Sequence, residues 1–415
     1  MKPMQKQNLQ TLKGFRDFLP QEKRIRDVVS EKIRRTFERY GFEPLETPTL
    51  EYADLLLGKY GNEADKLVYR FTDRGGRDIA LRYDQTVPTA RVLAQNQDKL
   101  GVGFRRYQIQ NVFRADKPQR GRYREFTQCD ADIFGISSPL ADAEILAVYY
   151  NIYKDLGLSD IKIYLNDRET LITTLSPFTT STVDVFSLIQ SIDKLDKMDR
   201  NNVEAELVEK GITARNATMV LNSILSATAS ASLLEITVAA EYLGIPKEVV
   251  VFSPTLARGL DYYTGMIFEG KVPGESGSVG GGGRYDRLIE SIGGPAIPAV
   301  GFGLGFDRTV EVLVAKGLVT PSAATRALVT IFAPNLQDKA LQAARALREA
   351  GVNTELYPDS SAKLEKQLKY ADKKGIPYAI VIGEDEAGKG VVTVKNLATR
   401  QQQTVSLDEA ASLLQ

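Results

Sequence analysis

The chain has 415 residues, 43% hydrophobic and 26% charged, an ordinary globular composition with material for two or three domains. Lys+Arg and Asp+Glu both number 53, which excludes a surface that is basic throughout and leaves any nucleic-acid contact to a local patch. One cysteine and no histidine exclude a disulfide framework, a His/Cys metal cluster, a Ser-His-Asp triad and a histidine general base. The first residues are polar, with no apolar signal-like run, and no stretch approaches the ~18–20 apolar residues of a membrane span. A soluble, cytoplasmic protein is expected.

Residues 21–40 have Ile25, Val28, Val29, Ile33, Phe37 and Tyr40 at helical spacing, with Gly41 as a stop. Pro44 and Pro48 break an extended segment ending at Leu50, and 51–60 reads as a short helix. Residues 68–72 and 79–83 alternate around Gly75-Gly76 and predict a hairpin. A helix over 85–95, strands over 105–114 and 123–134, and a helix over 139–156 follow. From about 167 to 250 the β signal fades and Ser, Thr and Ala dominate, predicting a helical insertion. Strand and glycine signals resume at 249–252 and run through 280–283 and 300–306, with a helix after Asp307.

Residues 316–325 read as a linker between a domain of 1–325 and one of 326–415. In the tail, strands over 327–332, 353–357 and 378–382 alternate with helices over 337–350 and 361–374, which stop at Gly351 and Gly375. A strand over 391–395 and a last helix opened by a Ser406/Glu409 capping box complete it. This alternation predicts a small α/β domain with a largely parallel sheet.

Five segments carry chemistry. Between Arg105 and Arg124 lie seven Lys/Arg and one acidic residue, a pattern that suits polyphosphate or, equally, a solvated hairpin tip. Arg258 through Gly265 bring adjacent tyrosines beside Arg and Asp, which suits a small polar ligand or a packed strand. The run Gly280–Gly283 with Arg284-Tyr285-Asp286 lets backbone approach a ligand, or is a plain loop. Gly301 through Arg308 is a glycine-rich strand entering a helix, open to a flat base with Arg308 toward phosphate, or a tight junction only. Leu81 through Pro88 place Asp84 and Thr86 where they hold an ammonium group or cap a helix.

Together these segments resemble class II aminoacyl-tRNA synthetases, and among them the histidyl enzymes, over essentially the whole chain. Gly41–Glu51 with Pro48 looks like motif 1, Phe113–Phe126 like motif 2, and Gly303–Arg308 like motif 3. The more specific stretches are Arg258–Gly265 and Gly281–Asp286, similar to the two histidyl signatures. The tail after about 325 resembles the class IIa anticodon-binding domain. The resemblance implies an α+β fold: an antiparallel catalytic sheet flanked by helices, a helical insertion, and a C-terminal α/β anticodon domain. It also implies ATP-dependent activation of L-histidine and transfer to tRNA(His), with Mg²⁺ bridging phosphates, in a homodimer.

By matched position, Arg114 would hold the α-phosphate and the substrate carboxylate, Arg122 and Arg308 the ATP tail, and Arg258 the reacting centre. Asp84, Thr86 and Gln128 would hold the α-amino group, with Gln85 in the same histidine site. Asp132 and Tyr263 would read the imidazole, Tyr262 alongside, and Gln119 would meet the tRNA acceptor end. Two positions depart from the family pattern: Thr127 stands where an aromatic or His is usual, and Asp307 where Glu is commoner. The competing reading is a non-catalytic, histidine-sensing regulatory paralogue of ATP phosphoribosyltransferase, which usually lacks the anticodon domain and erodes the arginines.

Overall fold

The structure, a computed structural model, describes residues 9–57, 67–96, 98–118, 121–258, 262–320 and 323–415. Contacts gather the chain into two units, Met1–Asp17 with Val28–Val319, and Phe18–Asp27 with Thr320–Gln415.

The first unit is built on an eight-stranded sheet. Its strands and those of a small side sheet are, in chain order, β1 (Glu43–Pro44), β2 (Leu50–Tyr52), β3 (Arg70–Thr72), β4 (Asp78–Leu81), β5 (Arg105–Phe113), β6 (Glu125–Phe134), β7 (Lys162–Asp167), β8 (Val250–Phe252), β9 (Met266–Lys271), β10 (Gly280–Arg284) and β11 (Ala299–Gly305). The large sheet runs β1-β5-β6-β11-β10-β9-β7-β8, and β2-β4-β3 form the small one. Every pair in the large sheet is antiparallel except β1 with β5 and β7 with β8. The expected hairpin is β3–β4, and its turn is tied by the Asp73 carboxylate, which accepts from the Gly75 and Arg77 amides. Of the helix expected over 51–60, Ala53–Leu57 is observed and 58–60 lie outside the described residues.

Period-two alternation sorts the large sheet into two faces. Tyr107, Cys129, Ala131, Ile133, Phe268, Phe302 and Leu304 point into the main core, shared with Val29, Ile33 and Phe37 of the helix Pro20–Arg39 and with the helix Pro139–Asp155. That second helix is buried nearly all round, and Tyr149 and Tyr153 lie beneath the strands. Gly270 is required there, because a Cβ would overlap the Tyr149 ring. The opposite face is polar and carries the site.

The expected insertion is helical. The helices Arg168–Leu175, Val185–Ile192, Arg200–Glu209 and Ala214–Leu225 close a core of their own around Leu171, Leu188, Val203 and Leu221. The hydroxyl and carboxylate richness of this stretch has a local use: Asp167, Asp184, Asp199 and Thr213 each cap one helix through the side chain. The next helix, Ala231–Tyr242, instead packs Leu233, Ile236 and Ala240 into the main core. Strand β7, just before the insertion, was not anticipated.

The second unit carries β12 (Ala327–Val329), β13 (Thr354–Leu356), β14 (Tyr378–Val381), β15 (Val392–Asn396) and β16 (Gln402–Val405), in the order β13-β12-β14-β15-β16. The expectation of a largely parallel sheet needs correction. β12 is parallel to β13 and β14, but β14–β15 and β15–β16 are antiparallel. Helices cross over between the first strands, whereas the Leu397–Gln401 connection is short enough only for a hairpin. The Ser406/Glu409 capping box is present.

Candidate functional site

A cleft of about 470 Å³ opens on the polar face. Its floor follows from strand register. Asp132 of β6 lies opposite Gly301 of β11, Asp130 opposite Gly303, and Gln128 opposite Gly305. Gly301 and Gly303 in turn face Gly283 and Gly281 of β10, and Gly281 faces Glu269 of β9. A glycine floor therefore lies between a carboxylate row on β6 and a carboxylate on β9. A Cβ at Gly301 would overlap the Asp132 carboxylate, and one at Gly303 would come within 3.1 Å of Asp130 Oδ1. The glycines flagged in the sequence thus make room for acidic side chains as well as for a flat ligand.

Asp132 is almost wholly buried. Its carboxylate pairs with the fully buried Arg106 guanidinium at 2.6 Å and accepts from the Tyr285 hydroxyl. Burial pushes its carboxyl up, against the pull of Arg106 and of that hydrogen bond. Asp130 is 3% exposed, and burial pushes it up to about 7, with Arg106 pulling down and Asp132 pushing up. Asp84 is pushed up to about 6 by burial, although the Val87 amide donates to it at 3.2 Å and Arg114 and Arg106 favour its charge. Three carboxyls sharing one poorly hydrated region make a place suited to a cationic ligand group.

The cations sit around this acidic end. Arg114 lines the cleft; its Nε donates to the Tyr83 carbonyl at 2.9 Å and its guanidinium lies 5.1 Å from the Phe126 ring centre. Arg258 lines it as well, paired at 2.7 Å with the buried carboxylate of Glu269, while Lys271 stands 3.6 Å from the other oxygen. Thr86, Gln128, Tyr262 and Tyr263 complete the set of expected residues that share the cleft. The two tyrosine rings lie 4.2 Å apart, centre to centre.

Other expected residues lie elsewhere. Gln85 is fully buried and its amide donates to the Gln110 and Gln128 carbonyls at 2.9 and 3.0 Å, so it braces β5 against β6 and does not line the cleft. Asp84 likewise does not line it and helps cap the helix Thr86–Gln95, the local use weighed from sequence. Arg122 is half-exposed and clasps Asp116 at 3.0 and 3.1 Å. Arg308 lines a neighbouring cleft of about 370 Å³ with Gly121, Glu275, Ser276 and Glu311, and its Nε has no hydrogen-bond partner among the described residues. Gln119 and the Gly259–Asp261 part of the first signature lie outside the described residues.

The two family departures meet each other. Asp307 Oδ2 accepts from the Thr127 backbone amide at 2.9 Å, and its other oxygen pairs with Arg16. Arg16 also stacks on the Tyr123 ring at 3.2 Å. Sequence reasoning missed Arg106, Asp130, Tyr285, Glu269 and Arg16. Arg284, in the second signature, is structural: it pairs with the buried Asp142 and reaches the Ile136 carbonyl at 3.0 Å.

The histidyl-tRNA synthetase family profile matches residues 14–309, and that of the anticodon-binding domain matches 322–415. A histidine–tRNA ligase of Cytophaga hutchinsonii is 38% identical over 97% of this chain and 98% of its own length. One from Rhodopirellula baltica is 39% identical over 95% of each. The crystal structure of histidyl-tRNA synthetase from Nostoc sp. superposes with a TM-score of 0.87 at 29% identity, over 98% of this chain and 99% of that one. A Bacillus halodurans structure described as an ATP phosphoribosyltransferase regulatory subunit/histidyl-tRNA synthetase has a TM-score of 0.74 at 21% identity, a likeness of fold alone.

Proposed function

The chain belongs to the histidyl-tRNA synthetase family, and from that premise we propose how its own residues carry out the reaction. It is an aminoacyl-tRNA synthetase, a histidine–tRNA ligase that uses ATP. The substrate carboxylate attacks the α-phosphorus of ATP, the bond to the bridging oxygen breaks, and pyrophosphate leaves. A hydroxyl of the 3′-terminal ribose of tRNA(His) then attacks the acyl carbon of the adenylate, the bond from that carbon to the phosphate oxygen breaks, and AMP leaves as the hydroxyl gives up its proton.

No side-chain nucleophile is needed, so catalysis is positioning and charge stabilisation. The observation that carries the reading is the cleft's polarity, with buried carboxyls on β6 at one end and Arg114 and Arg258 beside them. The acidic end takes the ammonium and imidazole of histidine, through Thr86, Gln128 and Asp132. Arg114 meets the reacting carboxylate and α-phosphate, and Arg258 shares the charge that develops there. Tyr262 and Tyr263 wall the ring. Arg308, in the neighbouring cleft, and Arg122 take the ATP tail, and Gln119 the acceptor end.

Mg²⁺ fits as a companion of ATP. Among the described residues no three carboxylates gather as a metal cage, and this ion is commonly held by one or two carboxylates plus phosphates. Glu275 and Glu311, beside Arg308, are the carboxylates available to it, and the ion would screen phosphate charge there.

ATP–pyrophosphate exchange with each of the twenty amino acids tests the reading: exchange should depend on histidine, and exchange driven by another amino acid, or none at all, overturns it. The regulatory reading is disfavoured, since the cleft keeps Arg114 and Arg258 and the anticodon-domain profile covers the tail.

Residues 1–325 are assigned catalysis and 326–415 anticodon binding. The tail holds 12 Lys/Arg and 11 Asp/Glu, so its tRNA face is a patch, and charging should weaken as salt rises. A chain ending near residue 322 should still form adenylate but charge tRNA at least ten-fold more slowly, roughly the effect of losing ~1.4 kcal/mol of tRNA binding. Equal charging rates would remove the tail's assigned role. The segment around Pro48, similar to motif 1, is assigned to a two-fold homodimer. Light scattering should give twice 45.8 kDa, and a fully active monomer contradicts the assignment. No helix among the described residues is long and apolar enough to cross a membrane, and the assignment to the cytoplasm rests on the tRNA-ligase activity of the relatives.

A further inference from the structure

Gln128 and Asp130 are two residues apart on β6 and so lie on the same face of the strand. The Gln128 amide nitrogen donates to both carboxylate oxygens of Asp130, at 2.8 and 2.9 Å. Its Oε1 is buried and left with no hydrogen-bond partner among the described residues, in a residue that lines the cleft. A glutamine amide has two nearly isosteric ends, and only its neighbours decide which one faces a ligand. An ionised carboxylate accepts and cannot donate, so it holds the NH₂ end.

We propose that Asp130 is a positioning residue for substrate recognition: by holding the Gln128 NH₂ group it keeps Gln128 Oε1 turned to the ligand, so that the site offers an acceptor to the α-ammonium of histidine. The proposal rests on the reading that Gln128 meets the amino group. With the amide reversed, two N–H donors would confront a cation and an acceptor would confront a carboxylate. The register supports the role, because Asp130 lies opposite Gly303, where no side chain competes for the space.

The arrangement also makes recognition depend on pH. Asp130 is raised to about 7. Below that value its carboxyl carries a proton and, with both a donor and an acceptor, meets either end of the amide, so the orientation of Gln128 is no longer fixed. The groups facing it are Arg106 of β5, Asp132 on its own strand, Asp84 before the helix Thr86–Gln95, and Tyr262. All of these are unchanged in an Asp130 variant.

Calorimetric titration of L-histidine and of its desamino analogue, 3-(imidazol-4-yl)propionate, tests the proposal on the wild type, Asp130→Ala, Gln128→Ala and the double variant. Asp130→Ala should weaken histidine binding about ten-fold and leave the analogue within two-fold, because only histidine carries the ammonium. In the Gln128→Ala background the same change should cost histidine nothing further. Equal losses for both ligands, or additive losses in the double variant, overturn the proposal. If Gln128→Ala weakens histidine and Asp130→Ala does not, the amino-group reading stands and the positioning role falls. If Gln128→Ala leaves histidine binding unchanged, the amino-group reading falls, and the proposal with it. Asp130→Asn covers the case in which the alanine variant does not fold. Its amide meets either end of Gln128, so histidine should bind several-fold more weakly than to the wild type at pH 8, with the gap narrowing toward pH 6. The ligand's own imidazole titration is common to both proteins and cancels in that ratio, and a gap constant with pH overturns the switch.

Discussion

Replacing Arg258 by alanine should lower kcat for pyrophosphate exchange by about a hundred-fold or more, a loss of roughly 3 kcal/mol of transition-state stabilisation, with little change in KM for histidine. Charge builds on the α-phosphate as the carboxylate attacks, and a preplaced guanidinium needs no reorganisation to meet it. Arg258 is preplaced by Glu269, whose buried carboxylate holds the guanidinium at 2.7 Å. Loss of the arginine would leave that carboxylate buried, but Lys271 remains 3.6 Å from its second oxygen, so the fold should survive. Glu269→Gln provides the control. It leaves the cation in place but less well held, so kcat should fall by a smaller factor. Near-normal exchange by Arg258→Ala, at an unchanged melting temperature, would remove Arg258 from the reacting centre.

The legible parts of this protein are those whose cause is local. The alternation in Gln128–Ile133, the capping box at Ser406 and the glycine runs are written along one strand or one turn. The helical insertion was legible for the same reason, since its caps lie beside the helices they start. What was missed depends on register. Arg106 lies 26 positions from Asp132 and Tyr285 lies 153 away, and only the pairing of β5 with β6, β6 with β11 and β11 with β10 brings them together. A signal was present: an arginine and two glutamines alternate with Tyr107 and Ile109 in a strand otherwise fit for a core, marking a polar face. Gln85 was misread because a motif match does not say whether a buried amide meets a ligand or a backbone carbonyl. The antiparallel half of the C-terminal sheet leaves little periodic trace, because β15 and β16 are joined by a short loop and β14 and β15 by a connection whose only helix is the six-residue Glu384–Lys389.

Asp132→Asn should reduce both histidine affinity and fold stability, and the two losses should be separable. From sequence alone, two roles competed for this carboxylate: a reader of the imidazole, and an anchor for the sheet. The structure gives it an anchoring duty, for it is the partner of Arg106, which is wholly buried on β5. Removing one member of a buried ion pair typically costs about 3–5 kcal/mol, because the other is left charged and unsolvated. Replacing both members by neutral groups of similar size is often close to neutral. Arg106→Gln combined with Asp132→Asn should therefore recover most of the melting temperature lost in either single variant. Histidine affinity should not recover. A charge-assisted hydrogen bond to the ring contributes roughly 1.5–3 kcal/mol, so the double variant should still bind histidine about ten-fold or more weakly than the wild type. ATP should bind it almost normally, since the phosphates are assigned to Arg114, Arg122 and Arg308. A double variant that regains stability and histidine affinity together would leave Asp132 as an anchor alone. One that regains stability, binds ATP and still rejects histidine places the imidazole against the carboxylate.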